Sequence, residues 1–187
     1  MKKSTIILLV VVGVILILTM AMIGSYNGLV SKKEAVTQKY SDLDTTLQRR
    51  ADLIPNLVST VKGFVAHENE VIDKVTEARQ NLLGANSIED KQKANDELSK
   101  SLQALMVVVE NYPDLKSSEN FLNLQTELAG TENRIAVARR DYNDAVKNYN
   151  SSIKRFPTNV LAGMFGFSEE KYFEASEKAQ EVPSVNF

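Results

Sequence analysis

The sequence contains no cysteine and only one histidine, His67, among 187 residues. Without cysteine there can be no disulfide, thiolate metal site, cysteine nucleophile or lipoprotein processing, although such a domain tolerates either redox compartment. A di-metal site in a helical bundle needs paired Glu-x-x-His motifs, but Phe64 stands three residues before His67. Glu68 is adjacent in sequence and points elsewhere on a helix, so it cannot orient His67 for a triad. We therefore predict no metal, no cofactor and no enzymatic activity.

A surplus of positive charge is also absent. The 22 Lys and Arg include Lys2 and Lys3, which leaves 20 basic against 24 acidic side chains in the rest of the chain. Nucleic-acid-binding domains carry the opposite charge, so we predict no nucleic-acid partner. Residues 163–166 lack the lysine and the preceding strand of a phosphate-binding loop, and no small-molecule substrate is evident.

The sequence does contain an unbroken apolar run at residues 6–23, IILLVVVGVILILTMAMI. A hydrocarbon core about 30 Å thick needs roughly 20 apolar helical residues to cross it. The run exceeds the usual apolar core of a secretory signal, and residues 21–24 make a poor cleavage site. We therefore predict an uncleaved single-pass anchor over residues 1–24, with the lipid bilayer as a partner.

Lysines on the two sides of the apolar run favour one orientation. Lys2 and Lys3 adjoin its start, whereas Lys32, Lys33 and Lys39 lie further beyond its end. The positive-inside rule then predicts an N-terminus in the cytoplasm and a domain outside it. The expected location is the cell membrane.

Residues 25–156 show helical periodicity throughout. The first helix carries its apolar stripe at Tyr26, Leu29, Val36, Tyr40, Leu43 and Leu47. Pro55 lacks an N–H group and disfavours helical geometry at Ile54, so we expect this helix to end near Arg50. Asp52 would cap the next helix, and a kink in one continuous helix is the alternative.

The second predicted helix runs to Gly84 and buries a heptad series at Ile54, Val61, Val75 and Leu82. Glu68 falls on this stripe between Val61 and Val75. We therefore predict that Glu68 is partly buried and paired with an arginine of a neighbouring helix, with Arg50 as the leading candidate.

Two further helices complete the pattern. Ser87 and Asp90 form a variant capping box that opens the third helix, and Pro113 ends it. The fourth helix ends before Pro157 and has a large residue at every seventh position: Phe121, Leu128, Ile135, Tyr142, Tyr149 and Phe156. A second series of mostly small residues lies between them: Leu124, Thr131, Ala138, Ala145 and Ser152. Alternating large and small residues favour close antiparallel packing.

The predicted fold class is all-α, with an N-terminal transmembrane helix followed by an antiparallel up-and-down four-helix bundle over residues 25–156. An even number of passes returns the chain to the membrane side, where residues 157–187 form an apolar segment and a polar tail. Its apolar side chains either contact the membrane interface or cover the end of the bundle: Leu161, Met164, Phe165 and Phe167.

A set of charged residues forms the remaining candidate site: Arg49, Arg50, Glu68, Glu132, Arg139 and Arg140. One interpretation is a set of surface pairs, or one buried pair that fixes the register of the helices. The other is a partner site or charge switch formed by Arg50 and Glu68 inside the bundle.

Several stretches resemble the LemA family. They are RRADLIPNLV at residues 49–58, VKGF at 61–64, His67-Glu68, GTENRIAVARRDYN at 130–143, Tyr149-Asn150 and Phe156-Pro157. The resemblance implies a bacterial or archaeal single-pass membrane protein with a four-helix up-and-down bundle. Phe64 stands where many relatives have Tyr. The family has no established biochemical activity, so the resemblance informs the fold and not the mechanism.

The function that these observations favour is a non-enzymatic interaction or scaffold module in the cell envelope, held to the membrane by its anchor. It would bind itself or another membrane protein. The alternative is an accessory or regulatory subunit of a membrane enzyme such as a protease or transporter.

Overall fold

The computed structural model describes residues 3–65 and 68–174. Within these ranges the regular secondary structure is entirely helical. The predictions made for Lys2, for His67 and for the polar tail at 175–187 lie outside the described residues. The helices are α1 (Lys3–Lys62), α2 (Asn69–Gly84), α3 (Ile88–Val109), α4 (Pro113–Lys116), α5 (Glu119–Lys154) and α6 (Thr158–Phe165).

Helix α1 contains the apolar run of residues 6–23 at its N-terminal end. It is long and apolar enough to cross a membrane, and none of its most apolar window is buried against the described residues. Ile17 is 69% exposed and Met20 is 72% exposed. The prediction of one N-terminal candidate membrane helix is confirmed.

The prediction that the first helix ends near Arg50 is wrong, because α1 continues through Pro55 to Lys62. Pro55 cannot donate to the carbonyl four residues earlier, that of Ala51. The side chain of Arg79 in α2 supplies a donor to this carbonyl instead. Burial of Ile54 and Leu57 on the same turn also favours the helical path through the proline.

The break comes at Gly63, so the second helix is shorter than predicted and α2 begins at Asn69. Glycine has a low helix propensity, and the chain forms 3₁₀-type turns there. In one of them the Phe64 amide donates to the Val61 carbonyl at 2.9 Å. The heptad series is nevertheless buried on both sides of the break, at Ile54, Val61, Val75 and Leu82.

The starts of α3 and α4 match their sequence signals. Ser87 Oγ accepts a hydrogen bond from the Asp90 amide at 3.1 Å, which confirms the predicted N-cap of α3. Pro113 ends the preceding segment and occupies the first turn of α4.

Helix α5 buries the predicted series of large residues: Phe121, Leu128, Ile135, Tyr142 and Tyr149. The sixth member, Phe156, was expected on the same stripe but is 83% exposed. The helix ends at Lys154, so the heptad no longer applies at Phe156.

The chain divides into two compact units. Among the described residues, unit 1 comprises 3–39 and Asp144–Lys171, and unit 2 comprises 40–65, 68–143 and 172–174. The core of unit 2 draws apolar residues from the second part of α1, from α2, α3 and α4, and from the first part of α5, including Leu57, Ile72, Leu98, Leu115 and Phe121.

Unit 1 buries a smaller apolar set at Leu29, Val36, Val146, Tyr149, Ile153, Leu161 and Ala162. The last two lie in α6, which ends at Gly166 with φ of 74°. This left-handed conformation favours glycine, and it lets the Phe167 amide donate to the Ala162 carbonyl at 2.9 Å.

Candidate functional site

Arg50 is the most buried charged residue of the predicted set, with 5% of its surface exposed. Its position on α1 points it into unit 2, where Nη1 donates to Glu132 Oε2 on α5 at 2.8 Å and to Asn95 Oδ1 on α3 at 2.7 Å. One guanidinium nitrogen thus joins three helices. Arg50 Nε is buried without a hydrogen-bond partner.

The predicted pairing of Arg50 with Glu68 is wrong. Glu68 directly precedes α2 and is not inside a helix, because the chain breaks after Lys62. Its carboxylate is half-buried and accepts a long hydrogen bond, 3.5 Å, from the hydroxyl of Tyr112. Glu132, which the sequence also singled out, takes the place expected for Glu68.

Asp96 adds a second carboxylate beside the guanidinium. Burial raises the pKa of Asp96, although Lys100 and Arg139 act in the opposite direction. Burial also lowers the pKa of Arg50, and the carboxylates of Glu132 and Asp96 oppose that change. Arginine nevertheless stays protonated at neutral pH, so it serves here as a fixed cation and not as an acid or base. We call Arg50, Asn95, Asp96 and Glu132 the polar cluster.

The other predicted charged residues lie at the surface or at the edge of this cluster. Arg49 pairs with Glu127 of α5 at 3.0 Å, and both side chains are more than half exposed. Arg139 is half-buried near Asp96, whereas Arg140 is exposed. The structure therefore brings Arg50 and Glu132 together, places Arg139 at the edge of the cluster beside Asp96, and leaves Arg49, Glu68 and Arg140 outside it.

Asn95 was missed by the sequence reasoning. It is 6% exposed and supplies a neutral acceptor to Arg50 Nη1. A signal was present, because Asn95 interrupts the apolar stripe of α3 between Ala94 and Leu98, both of which are buried. A polar residue at a core position of a bundle needs a partner, and that expectation identifies it.

Two further asparagines hold the segment after α6. In unit 1, the carboxamide of Asn150 accepts from the Glu170 amide at 2.9 Å and donates to the Glu170 carbonyl at 2.8 Å. In unit 2, Asn143 makes the same two hydrogen bonds with the main chain of Phe173, at 2.9 and 2.8 Å. Their sequence signal is a Tyr-Asn dipeptide repeated after seven residues, at 142–143 and 149–150.

The residues predicted to lie at the membrane interface have different environments within unit 1. Leu161 is buried, Phe167 is half-buried, and Met164 and Phe165 are mostly exposed. The ring of Tyr26 on α1 contacts those of Phe165 and Phe167, with centroid distances of 4.9 and 5.8 Å. The segment thus packs on α1 with one face and presents apolar side chains on another.

The described residues include no group of three or more His, Asp or Glu side chains placed to hold a metal ion. A shallow depression at the α2–α3 turn is lined mainly by polar side chains, including Gln80, Asn81, Asp90, Lys93 and Glu97. It is open to solvent, and its lining shares no residue with the polar cluster, although Ala94 and Glu97 flank Asn95 and Asp96 on α3.

Comparisons with known proteins give one consistent result. A sequence model of the LemA family matches residues 39–187. The chain is similar to Magnetosome protein MamQ 1 of Paramagnetospirillum magneticum, at 30% identity over 186 residues, covering 86% of this chain and 68% of the relative. It is also similar to Protein LemA of Metamycoplasma hominis, at 28% identity over 159 residues, covering 83% of this chain and 71% of the relative.

Proposed function

The chain belongs to the LemA family, and from that premise we propose that it is a membrane-anchored helical scaffold in the cell envelope without catalytic activity of its own. Residues 6–23 hold it in the bilayer, and its helical part faces outside the cytoplasm. It assembles with further copies of itself or with another membrane protein, and it requires no cofactor, nucleic acid or small-molecule substrate.

The observation that carries this proposal is the uncovered surface of the apolar run. Side chains from Ile6 to Ile23 are exposed around the whole helix, and none of the window is buried against described residues. In water such a surface would be strongly unfavourable at roughly 25 cal/mol per Å². A bilayer is the environment that matches both its length and its composition.

The helical part is proposed to be an antiparallel up-and-down bundle of four helices. In unit 1, Lys33 and Lys32 of α1 contact Tyr149 and Ser152 of α5, so the earlier residue on α1 meets the later residue on α5. In unit 2, α2 and α3 are joined by only three residues, a length typical of antiparallel neighbours. These two observations support opposite chain directions within each unit.

The use of the polar cluster supports a structural role over a catalytic one. Arg50 contacts Glu132 and Asn95, so its guanidinium group links α1 to α5 and α3. Buried charged groups of this kind specify the register of packed helices in several protein systems. We therefore interpret the cluster as the element that fixes one arrangement of the helices.

The relatives support a role in organisation without naming a reaction. The name of one similar protein, Magnetosome protein MamQ 1, assigns it to the magnetosome, and that of the other, Protein LemA, states the family alone. None of these names states an enzymatic activity. A scaffold that is used in different settings by different family members fits these names.

Affinity purification of the tagged full-length protein from membranes in a mild detergent tests the proposal. A scaffold should elute as several copies of itself with lipid. Recovery of one different membrane protein in a fixed one-to-one ratio would instead support an accessory subunit of that protein. Protease added to intact spheroplasts tests the orientation, because it should digest the helical part without lysis.

A further inference from the structure

Helix α6 and the residue before Pro157 present an apolar surface that no described residue covers. We call Phe156, Val160 and Met164 the α6 surface. Their exposed fractions are 83%, 53% and 67%. On its other side, α6 buries Leu161 and Ala162 in unit 1, and Phe165 lies on that side, four residues after Leu161. A surface helix in water normally carries polar residues on its outer face. Helix α6 has apolar residues on its outer face as well as on its inner face, and packing within unit 1 accounts only for the inner one.

The position of α6 is fixed by its contact with α1. The Phe165 ring lies 4.9 Å from that of Tyr26, which stands only three residues after the end of the apolar run. Since a helix rises about 1.5 Å per residue, Tyr26 is about 4.5 Å beyond that end along α1. The end of α6 that carries Met164 and Phe165 therefore lies where the bilayer core gives way to its interface, and tyrosine is enriched at that depth.

The acidic residues that follow α6 form ion pairs with lysines. Lys33, ten residues after Ile23, pairs with Glu170, and the Tyr149 ring centroid is 5.6 Å from its Nζ. That level is about 15 Å beyond the run. Glu169 pairs with Lys154 at 2.7 Å. The acidic residues that follow α6 are thus matched by lysines, which reduces their repulsion from anionic lipid headgroups.

We propose that the α6 surface inserts into the interfacial layer of the same bilayer that residues 6–23 cross, forming a second membrane contact. The occupant of this surface is lipid, since α6 contacts the anchor helix through Phe165 and Tyr26 at the level of the interface. Insertion depends on buried apolar area, so it should change little with salt. This inference rests on the proposed anchoring by the apolar run, and the experiment below separates the two.

The chain has no tryptophan, so a single substitution creates a unique fluorescent reporter. Full-length Met164→Trp would be reconstituted into phosphatidylcholine vesicles whose acyl chains carry bromine near the headgroup. Leu16→Trp reports on the anchor. Asn148→Trp is the control, because Asn148 is exposed on α5 beside Tyr149, at the level of Lys33.

In vesicles with bromine near the headgroup, the emission of Trp at 164 should be mostly quenched and shifted to shorter wavelength. Trp at 16 should be quenched in the same way in a second set of vesicles, whose lipid carries bromine deeper in the acyl chain. The reporter at 148 should be quenched by aqueous iodide instead. Val160→Trp should repeat the result for 164, which guards against a local effect of one substitution. Raising the salt concentration should leave the quenching unchanged.

Two outcomes would overturn the inference. If Trp at 164 and 160 resists brominated lipid while Trp at 16 is quenched, the anchor is correct and the α6 surface is not in lipid. A blue-shifted emission without bromine quenching would then indicate a protein partner or a second copy on this surface. If Trp at 16 also resists quenching, the proposed anchoring fails and this inference fails with it.

Discussion

Arg79 donates a hydrogen bond from Nε to the main-chain oxygen of Ala51 at 2.8 Å, and this is the carbonyl that Pro55 leaves unpaired inside α1. Ala51 is fully buried, so the oxygen has no access to water as an alternative. A buried carbonyl without a donor costs about 1 to 3 kcal/mol. The contact explains how a proline is accommodated within a continuous helix.

The first prediction removes this donor. Arg79→Met should destabilise the full-length protein in detergent by about 1 to 3 kcal/mol, because the Ala51 carbonyl loses its partner. In a Pro55→Ala background the alanine N–H can donate to that carbonyl, so the same change should cost clearly less. Urea unfolding followed by circular dichroism measures the free energy of unfolding of the wild type, the two single variants and the double variant.

Lys74→Met on the same helix is the matched control, since Lys74 pairs with Glu70 at an exposed position, at 2.6 Å. It should change stability by less than about 0.5 kcal/mol. Equal costs of Arg79→Met in the two backgrounds would contradict the account of Pro55.

The second prediction compares two glutamates of α5 that each face an arginine of α1. Glu132→Gln removes the charge opposite the buried Arg50 and should cost about 1.5 to 3 kcal/mol. Glu127→Gln removes the charge opposite the exposed Arg49 and should cost less than about 1 kcal/mol. Thermal unfolding of both variants measures the stability that each one loses. Similar losses would show that the buried pair stabilises the protein no more than the exposed pair does.

The third prediction concerns pH. Burial raises the pKa of Asp96 above its unfolded value, so ionisation of Asp96 favours the unfolded chain. Its contribution to stability is complete below the unfolded pKa of about 3.9 and is lost as the pH rises through the folded pKa. Asp96→Asn removes this pH-dependent loss of stability, because asparagine does not ionise.

The melting temperature of Asp96→Asn relative to wild type should therefore rise between about pH 4 and pH 7. Melting curves of both proteins across this range measure the difference. A difference that stays constant or falls with pH would mean that the nearby cations outweigh burial at Asp96.

The fourth prediction concerns Asn150, whose carboxamide holds the main chain of Glu170 by two hydrogen bonds. Asn150→Ala should increase hydrogen exchange at the Glu170 amide, because that N–H loses its acceptor. Asn148→Ala on an exposed position of the same helix is the control and should leave the exchange unchanged. Equal exchange in both variants would show that the two bonds do not order the segment.

The apolar periodicity of the sequence predicted which residues are buried, because one helical face repeats every three or four residues. Leu43, Leu47, Phe121 and Ile135 are all buried as predicted. Periodicity reports the face of a helix and not its ends, which is why the heptad was extended wrongly to Phe156.

The helix boundaries near Pro55 were predicted wrongly for a physical reason. A local rule assigned the end of α1 to the proline, whereas the donor that satisfies Ala51 comes from Arg79, distant in sequence. The partner of Arg50 was missed in the same way. Glu68 appeared suitable only while a continuous helix through Gly63 was assumed, and the break at Gly63 moves it off the stripe.

Two-tag co-purification tests most directly whether the anchored chain is a scaffold that assembles with copies of itself or an accessory subunit of one membrane protein. Two differently tagged full-length copies would be expressed in the same cells, solubilised in mild detergent and purified through one tag. The account predicts recovery of the second tag from these cells, but not from separately solubilised membranes that are mixed afterwards. A single tag recovered with an equal amount of one other membrane protein would contradict it.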